Sequence, residues 1–179
     1  MHIVVLTGSP HKQGTTAFLA DRFVEGTQKG GHTVFRFDAA FRCVHPCLGC
    51  ENCQSGAQPC VFQDDMQMLY PELKKADMVV FVSPLYYHGM SSQIRMVIDR
   101  FHGIDNYLVG ASKKTVLLMA GASVVPTVYD GVVATFRETA KYLGWQESGL
   151  LMAFGCKNRA DIEKTDYPGR AYTMGRTLG

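Results

Sequence analysis

Three short apolar runs, Ile3–Leu6, Met78–Val82 and Val116–Met119, are built alike, and they limit the fold more than any other feature of the chain. Each is strongly apolar throughout, and each ends in a turn of small residues: Thr7-Gly8-Ser9, Ser83-Pro84 or Ala120-Gly121-Ala122. Apolarity without alternation marks strands covered on both faces, as in the middle of a parallel sheet. Val34-Phe35-Arg36-Phe37 alternates instead and suits an edge strand, and Leu150–Phe154 closes the set at five.

Helical periodicity fills the intervals. Leu19, Ala20, Phe23 and Val24 follow Gly14-Thr15-Thr16; Ile94, Val97, Ile98 and Phe101 form a second stripe; Val132, Phe136, Ala140 and Leu143 form a third. Glycines stop helices at Gly30-Gly31 and at Gly144. Strand and helix in alternation, joined by right-handed crossovers, predict an α/β three-layer sandwich. Five strands in this length predict a parallel sheet of flavodoxin-like order 2-1-3-4-5. One domain over 1–179 accommodates them. The polar stretch 155–179 reads as a turn at Tyr167-Pro168-Gly169, then weak helix after Arg170 that covers the sheet.

Apolar residues make up 46% of the chain, with Gly 18 and Pro 7, which excludes disorder and collagen. The 18 basic residues against 16 acidic ones leave +2, too slight to announce a nucleic-acid or membrane-surface partner. The first apolar run is too short for a signal peptide, and no stretch reaches the roughly eighteen apolar residues of a spanning helix, so a cytoplasmic compartment is expected. Thiols stay reduced there, and the six cysteines read as ligands, redox groups or buried hydrophobes.

In an open parallel sheet a ligand sits beyond the carboxyl ends of the strands, where the winding direction reverses. Gly8–Thr16 leaves the first strand with hydroxyls and glycines and runs into a helix N-terminus, which offers a phosphate free N–H groups and a positive dipole end. G-x-G-x-x-G and Gly-Lys-Ser/Thr are both absent, which argues against a dinucleotide fold and a P-loop. A loop for one terminal phosphate remains, beside the plainer reading of an ordinary capped turn. Ser83–Ser91 leaves the neighbouring strand. Its Tyr86 and Tyr87, between Pro84 and Gly89, offer aromatic faces and backbone N–H groups to a flat heterocycle, or else pack at the surface.

Taken in order, Gly8-Ser9-Pro10 with Gly14-Thr15-Thr16, Asp64-Asp65-Met66, Ala76-Asp77, Ser83-Pro84-Leu85-Tyr86 with Met90-Ser91, and Ile98-Asp99-Arg100 resemble the NADPH-dependent FMN reductase family of the flavodoxin superfamily. The resemblance covers roughly the first hundred residues. It implies that Ser9, His11, Thr15 and Thr16, around Gly14, hold the FMN phosphate. It implies further that Pro84, Leu85, Tyr86, Tyr87 and Gly89 flank the isoalloxazine, with Ala120, Gly121 and Ala122 at its other side. His11 stands where relatives often carry arginine, and Arg95 where lysine is usual. The implied activity is NAD(P)H-dependent reduction of flavin, quinone or similar small-molecule acceptors by a homodimer or homotetramer. No general acid or base is assigned, because the chemistry belongs to the cofactor.

Residues 39–63 are the compositional break and hold five of the six cysteines. Cys47, Cys50, Cys53 and Cys60 lie in C-x₂-C-x₂-C-x₆-C spacing, which a [4Fe–4S] cubane, a tetrahedral zinc or unliganded thiols would each satisfy. Gly49 and Gly56 would let the loop wrap a centre. Iron–sulfur flavoproteins of the same superfamily carry a similar compact motif in this place. That likeness implies an alternative, in which a cluster passes electrons from a ferredoxin-like partner to FMN. Cys43 and Cys156 read as packing residues, Met66, Met68, Met78, Met90, Met96 and Met119 as core filling, Asp64-Asp65 as an acidic N-cap, and Asp99-Arg100 as a salt pair or part of a dimer face.

Overall fold

Residues 1–55 and 60–178 are described by the computed structural model, so Gly56 lies outside the described residues. The strands are β1 (His2–Thr7), β2 (Thr33–Asp38), β3 (Met78–Tyr86), a two-residue β4 (Gly89–Met90), β5 (Lys114–Ala120) and β6 (Gln146–Ala153). The helices are α1 (Thr15–Lys29), α2 (Met66–Lys75), α3 (Ser92–Asp99), α4 (Asp105–Leu108), α5 (Asp130–Leu143), α6 (Arg159–Glu163) and α7 (Tyr167–Arg176). The sheet runs β2-β1-β3-β5-β6, parallel throughout, with β4 antiparallel to β3. Counted without β4, this is the order 2-1-3-4-5 expected from the sequence.

Alternate residues of each inner strand feed opposite layers. Val4, Leu6, Phe81 and Leu117 pack with Leu69, Leu73, Ile94, Val97 and Phe136 from α2, α3 and α5. Ile3, Val5, Val80, Val82 and Leu118 pack with Leu19 and Phe23 of α1 and Ala171 of α7. Full burial on both faces is why these strands show no polar alternation. The alternating Val34–Phe37 run is the edge strand β2, and Gly144 ends α5 in the left-handed region at φ 70°.

The structure corrects several expectations. β4 was not foreseen: the chain turns back through Tyr87 and His88, both at positive φ (47° and 62°), residue types that the Gly/Asn rule for tight hairpins does not flag. Tyr167-Pro168-Gly169 is the first turn of α7, where proline's missing N–H costs nothing. Asp65 does not cap α2 through its side chain; its carboxylate accepts from Cys43 N at 2.8 Å, while Asp64 accepts from Met66 N at 3.1 Å. Arg100 pairs with Asp64, and Asp99 with Arg95. Cys43 and Met68 are exposed.

Helices α1 and α7 meet backbone to backbone through glycine. A Cβ on Gly175 would collide with the carbonyl of Phe23 and stand 2.8 Å from Thr27 Oγ1 and 2.9 Å from Thr27 N. Gly175→Ala must push the helices apart, and overpacking of this kind costs about 1–3 kcal/mol. The expected thermal melt falls by about 2–4 °C per kcal/mol, without loss of the sheet signature in circular dichroism.

Candidate functional site

The loops leaving β1 and β3 are pinned to each other. Gly8 N donates to Val82 O at 2.9 Å, and Ser91 Oγ donates to Gly8 O at 2.6 Å. Ser91 N in turn donates to Ser83 Oγ at 2.9 Å, and both serines are fully buried. Buried groups satisfied in this way rigidify their surroundings. A side chain at position 8 has no room, since its Cβ would press on Ser91 Oγ and lie 2.9 Å from Ile94 Cβ. Gly121, after β5, is similarly enclosed by Tyr129 Oη at 2.7 Å and Leu85 Cβ at 3.2 Å. Tyr129 donates to Ala153 O at 3.2 Å, and burial pushes its phenol up to about 12.

Between these loops opens a cavity of about 700 Å³, at the carboxyl ends of β1, β3, β5 and β6. Ligand pockets of small molecules commonly span about 300–1,000 Å³. Ser9, His11, Gly14, Thr15, Pro84, Leu85, Tyr86, Ala120, Gly121 and Ala122 all line it. Thr16 is buried in the first turn of α1 instead, and Tyr87 and Gly89 sit outside the lining. Tyr87 is fully exposed at the tip of the hairpin, and His88 Nδ1 meets Val128 O at 3.1 Å, a contact in which Nδ1 donates. Left-handed conformations of non-glycine residues cost about 1–3 kcal/mol each. This turn fixes the end of β3 that carries Tyr86 on the cavity.

Helix α1 starts at Thr15 behind the N-cap Gly14, and no side chain among the described residues caps the N–H groups of its first turn. Ser9 Oγ accepts from His11 N at 3.1 Å, which curls the loop around this helix end. Sequence reasoning missed Lys12 and the segment Cys156–Arg159 after β6, which line the same space. Burial pushes the Cys156 thiol up, and Asp161 adds to this. Asn158 caps α6 reciprocally with Asp161, so the Asn-x-x-Asp spacing was the overlooked signal of a helix start at the sheet edge. Among the described residues that line it, Lys12, Lys157 and Arg159 contribute three cations and none contributes a carboxylate. Arg159 is anchored by Glu163 at 2.6 Å and lies 3.6 Å from the centre of the Phe18 ring. Such a lining favours an anion.

The second feature is a small cavity of about 20 Å³ lined by Cys47, Cys50, Cys53 and Cys60, together with Phe62, Arg100 and His102. All four cysteines of the motif thus border one small cavity. Among the described residues no three His, Cys, Asp or Glu side chains are placed to hold a metal ion. The donor set nevertheless has the chemistry of a soft-metal or iron–sulfur site. His45 lies on this loop, stacked on Phe62 with centroids 4.7 Å apart.

Buried behind these thiols, Asp64 and Arg100 form a fork at 2.6 and 3.1 Å, each side chain 1% exposed. Burial alone would push the Asp64 carboxyl up. The Arg100 bonds, the N–H groups of His45 and Met66 and the Arg100 charge outweigh it and hold the carboxyl below its ordinary value. Helix α3 starts after Ser91, which is bonded to Gly8 O, and ends at Arg100 on the thiol cavity; its eight residues rise about 12 Å.

Comparison with known proteins agrees with the motif reading. The model of the family described as NADPH-dependent FMN reductase matches residues 1–147. An iron–sulfur flavoprotein of Methanocaldococcus jannaschii is 29% identical over 100 residues, 56% of this chain and 51% of that one. One of Archaeoglobus fulgidus is 28% identical over 123 residues, 68% of this chain and 56% of that one. The chain thus spans about half the length of the curated relatives it matches. Among solved structures, an NAD(P)H:quinone oxidoreductase from Methanothermobacter marburgensis superposes with a TM-score of 0.71 at 18% identity, covering 99% of this chain and 96% of that one. That likeness shows the flavodoxin-like fold, and no helix among the described residues is long and apolar enough to cross a membrane. With the match running from β1 into β6, the chain belongs to the NADPH-dependent FMN reductase family.

Proposed function

We propose that the larger cavity binds FMN and that the protein is an NAD(P)H-dependent oxidoreductase acting on flavins, quinones or similar small acceptors. One observation carries this reading: an uncapped helix start and three cations meet, with no carboxylate among the described lining residues, in a cavity walled by Pro84, Leu85, Tyr86 and the Ala120–Ala122 turn. Ser9, His11, Gly14, Thr15 and Thr16 supply the loop and first turn around the phosphate, and Lys12 and Lys157 supply positive charge. FMN, when bound, supplies hydride acceptance and release of electrons singly or in pairs. The chain's own residues bind and orient it: Gly121 lets the β5 turn approach closely, Tyr86 and Leu85 wall one side, and the pinned loops hold that spacing.

The single-domain assignment, a cytoplasmic location and a homodimer or homotetramer belong to the same reading. FMN titrated into the protein should quench in a saturable way, and the loaded protein should oxidise NAD(P)H. Absence of saturable uptake would overturn the reading. Lys157→Ala should weaken FMN uptake about two- to fivefold and flatten its dependence on salt, as expected for an exposed charge.

A second reading is favoured by the gathering of Cys47, Cys50, Cys53 and Cys60 on one cavity at the far end of α3. These four thiols would hold a [4Fe–4S] cluster, which supplies one-electron transfer between a ferredoxin-like donor and FMN. Anaerobic purification with iron and sulfide assays tests it. Zinc in place of iron, or neither, removes the cluster.

A further inference from the structure

Arg100 has more donors than its visible partners use. Its Nη1 donates to Asp64 Oδ2 at 2.6 Å and to His45 O at 2.8 Å, and its Nη2 donates to Asp64 Oδ1 at 3.1 Å. Its Nε is buried and has no acceptor among the described residues. Buried N–H groups are nearly always paired, so one left over points to a partner of another kind. Arg100 is among the residues that line the thiol cavity, and its guanidinium carbon lies 5.0 Å from the ring centre of Phe62, which also lines that cavity. No other arginine is among the described residues that line it.

Four cysteines offer sulfur acceptors on this cavity, beside Glu51, Asp99 and His102, of which Asp99 already pairs with Arg95 and His102 with Gln54. We propose that Arg100 is a positioning residue for the sulfur centre of Cys47, Cys50, Cys53 and Cys60, its Nε–H donating to a sulfur of that centre. The inference rests on the cluster reading given above. Asp64 and His45 O hold the guanidinium in place, so its direction is set before a centre is present. Hydrogen bonds to sulfur and nearby fixed charge are established means of setting a cluster's potential. A cation beside the centre favours the state carrying one more electron, so Arg100 raises the potential.

The test uses the whole chain, labelled with ¹⁵N-arginine, loaded anaerobically with iron and sulfide and then reduced. Pulsed electron paramagnetic resonance should show an arginine ¹⁵N coupling to the cluster spin in the unsubstituted protein. Arg100→Lys, which keeps a cation opposite Asp64 but loses Nε–H, should lose the coupling. It should also shift the oxidised-to-reduced ratio about tenfold at fixed potential, roughly 59 mV to the negative side for one electron. An iron-loaded unsubstituted protein without arginine coupling overturns the inference and leaves the cluster reading intact. A chain that takes up no iron removes the cluster reading and the inference together. Because the coupling is read in the unsubstituted protein, a poorly folding variant does not decide the matter.

Discussion

Asp64→Ala should cost about 3–5 kcal/mol of folding stability, the usual consequence of removing one partner from a buried ion pair. For a chain of this length that is a fall of the melting temperature of about 6–20 °C. The size follows from what is left behind. Arg100 would keep its charge with a side chain 1% exposed, and the backbone N–H groups of His45 and Met66 would lose their acceptor. The cysteine loop would loosen at His45, whose N–H would lose Asp64 and whose carbonyl is held by Arg100, while Cys43 would keep its bonds to Asp65. A melt of Asp64→Ala within about 1 kcal/mol of the unsubstituted protein at pH 7 would show the pair to be unimportant.

The same pair sets an acid dependence. The folded-state carboxyl titrates below its unfolded value of about 4, so its stabilisation is complete above that pH and is lost as pH falls through the lower, folded value. The unsubstituted protein should therefore lose stability with acid below about pH 4 more steeply than Asp64→Ala. Equal slopes in denaturant melts at pH 3 and pH 6 would contradict this.

The fold was legible because the signals that specify it are local. Ile3–Leu6, Met78–Val82 and Val116–Met119 had to be strands covered on both faces, and only a few sheet orders accommodate three of them with helices between. The cavity lining along the β1, β3 and β5 loops followed from the rule that ligands sit at the carboxyl edge. Lys157 and Arg159 escaped notice because β6 enters the cavity only through the folded sheet, and nothing nearby in sequence links it to Ser9. Arg100 escaped for the same reason. Its neighbour Asp99 suggested a local pair, while the real partner lies 36 positions away, where the tertiary structure buries both. The Tyr87-His88 turn shows a different limit: the tertiary bond from His88 to Val128 accompanies a backbone conformation that neither residue type advertises.

Gly8→Ala should abolish most FMN uptake, raising the dissociation constant at least about tenfold, or 1.4 kcal/mol. The added methyl meets Ser91 Oγ, and Ser91 cannot turn aside without giving up its bond to Gly8 O. Ile94 Cβ, 2.9 Å from the new atom, belongs to the fully buried face of α3. Either the serine rotates and unpins the two loops, or α3 shifts and carries the β3 hairpin with it. Both routes alter the spacing between the Ser9–Thr15 loop and the Pro84–Tyr86 wall, which is what a rigid, flat ligand must match. Ser91→Ala separates the two effects: it leaves Gly8 O without its donor but adds no bulk, so it should weaken uptake less than Gly8→Ala. A Gly8→Ala protein that takes up FMN as tightly as the unsubstituted chain would mean that the convergence of these two loops does not shape the cavity.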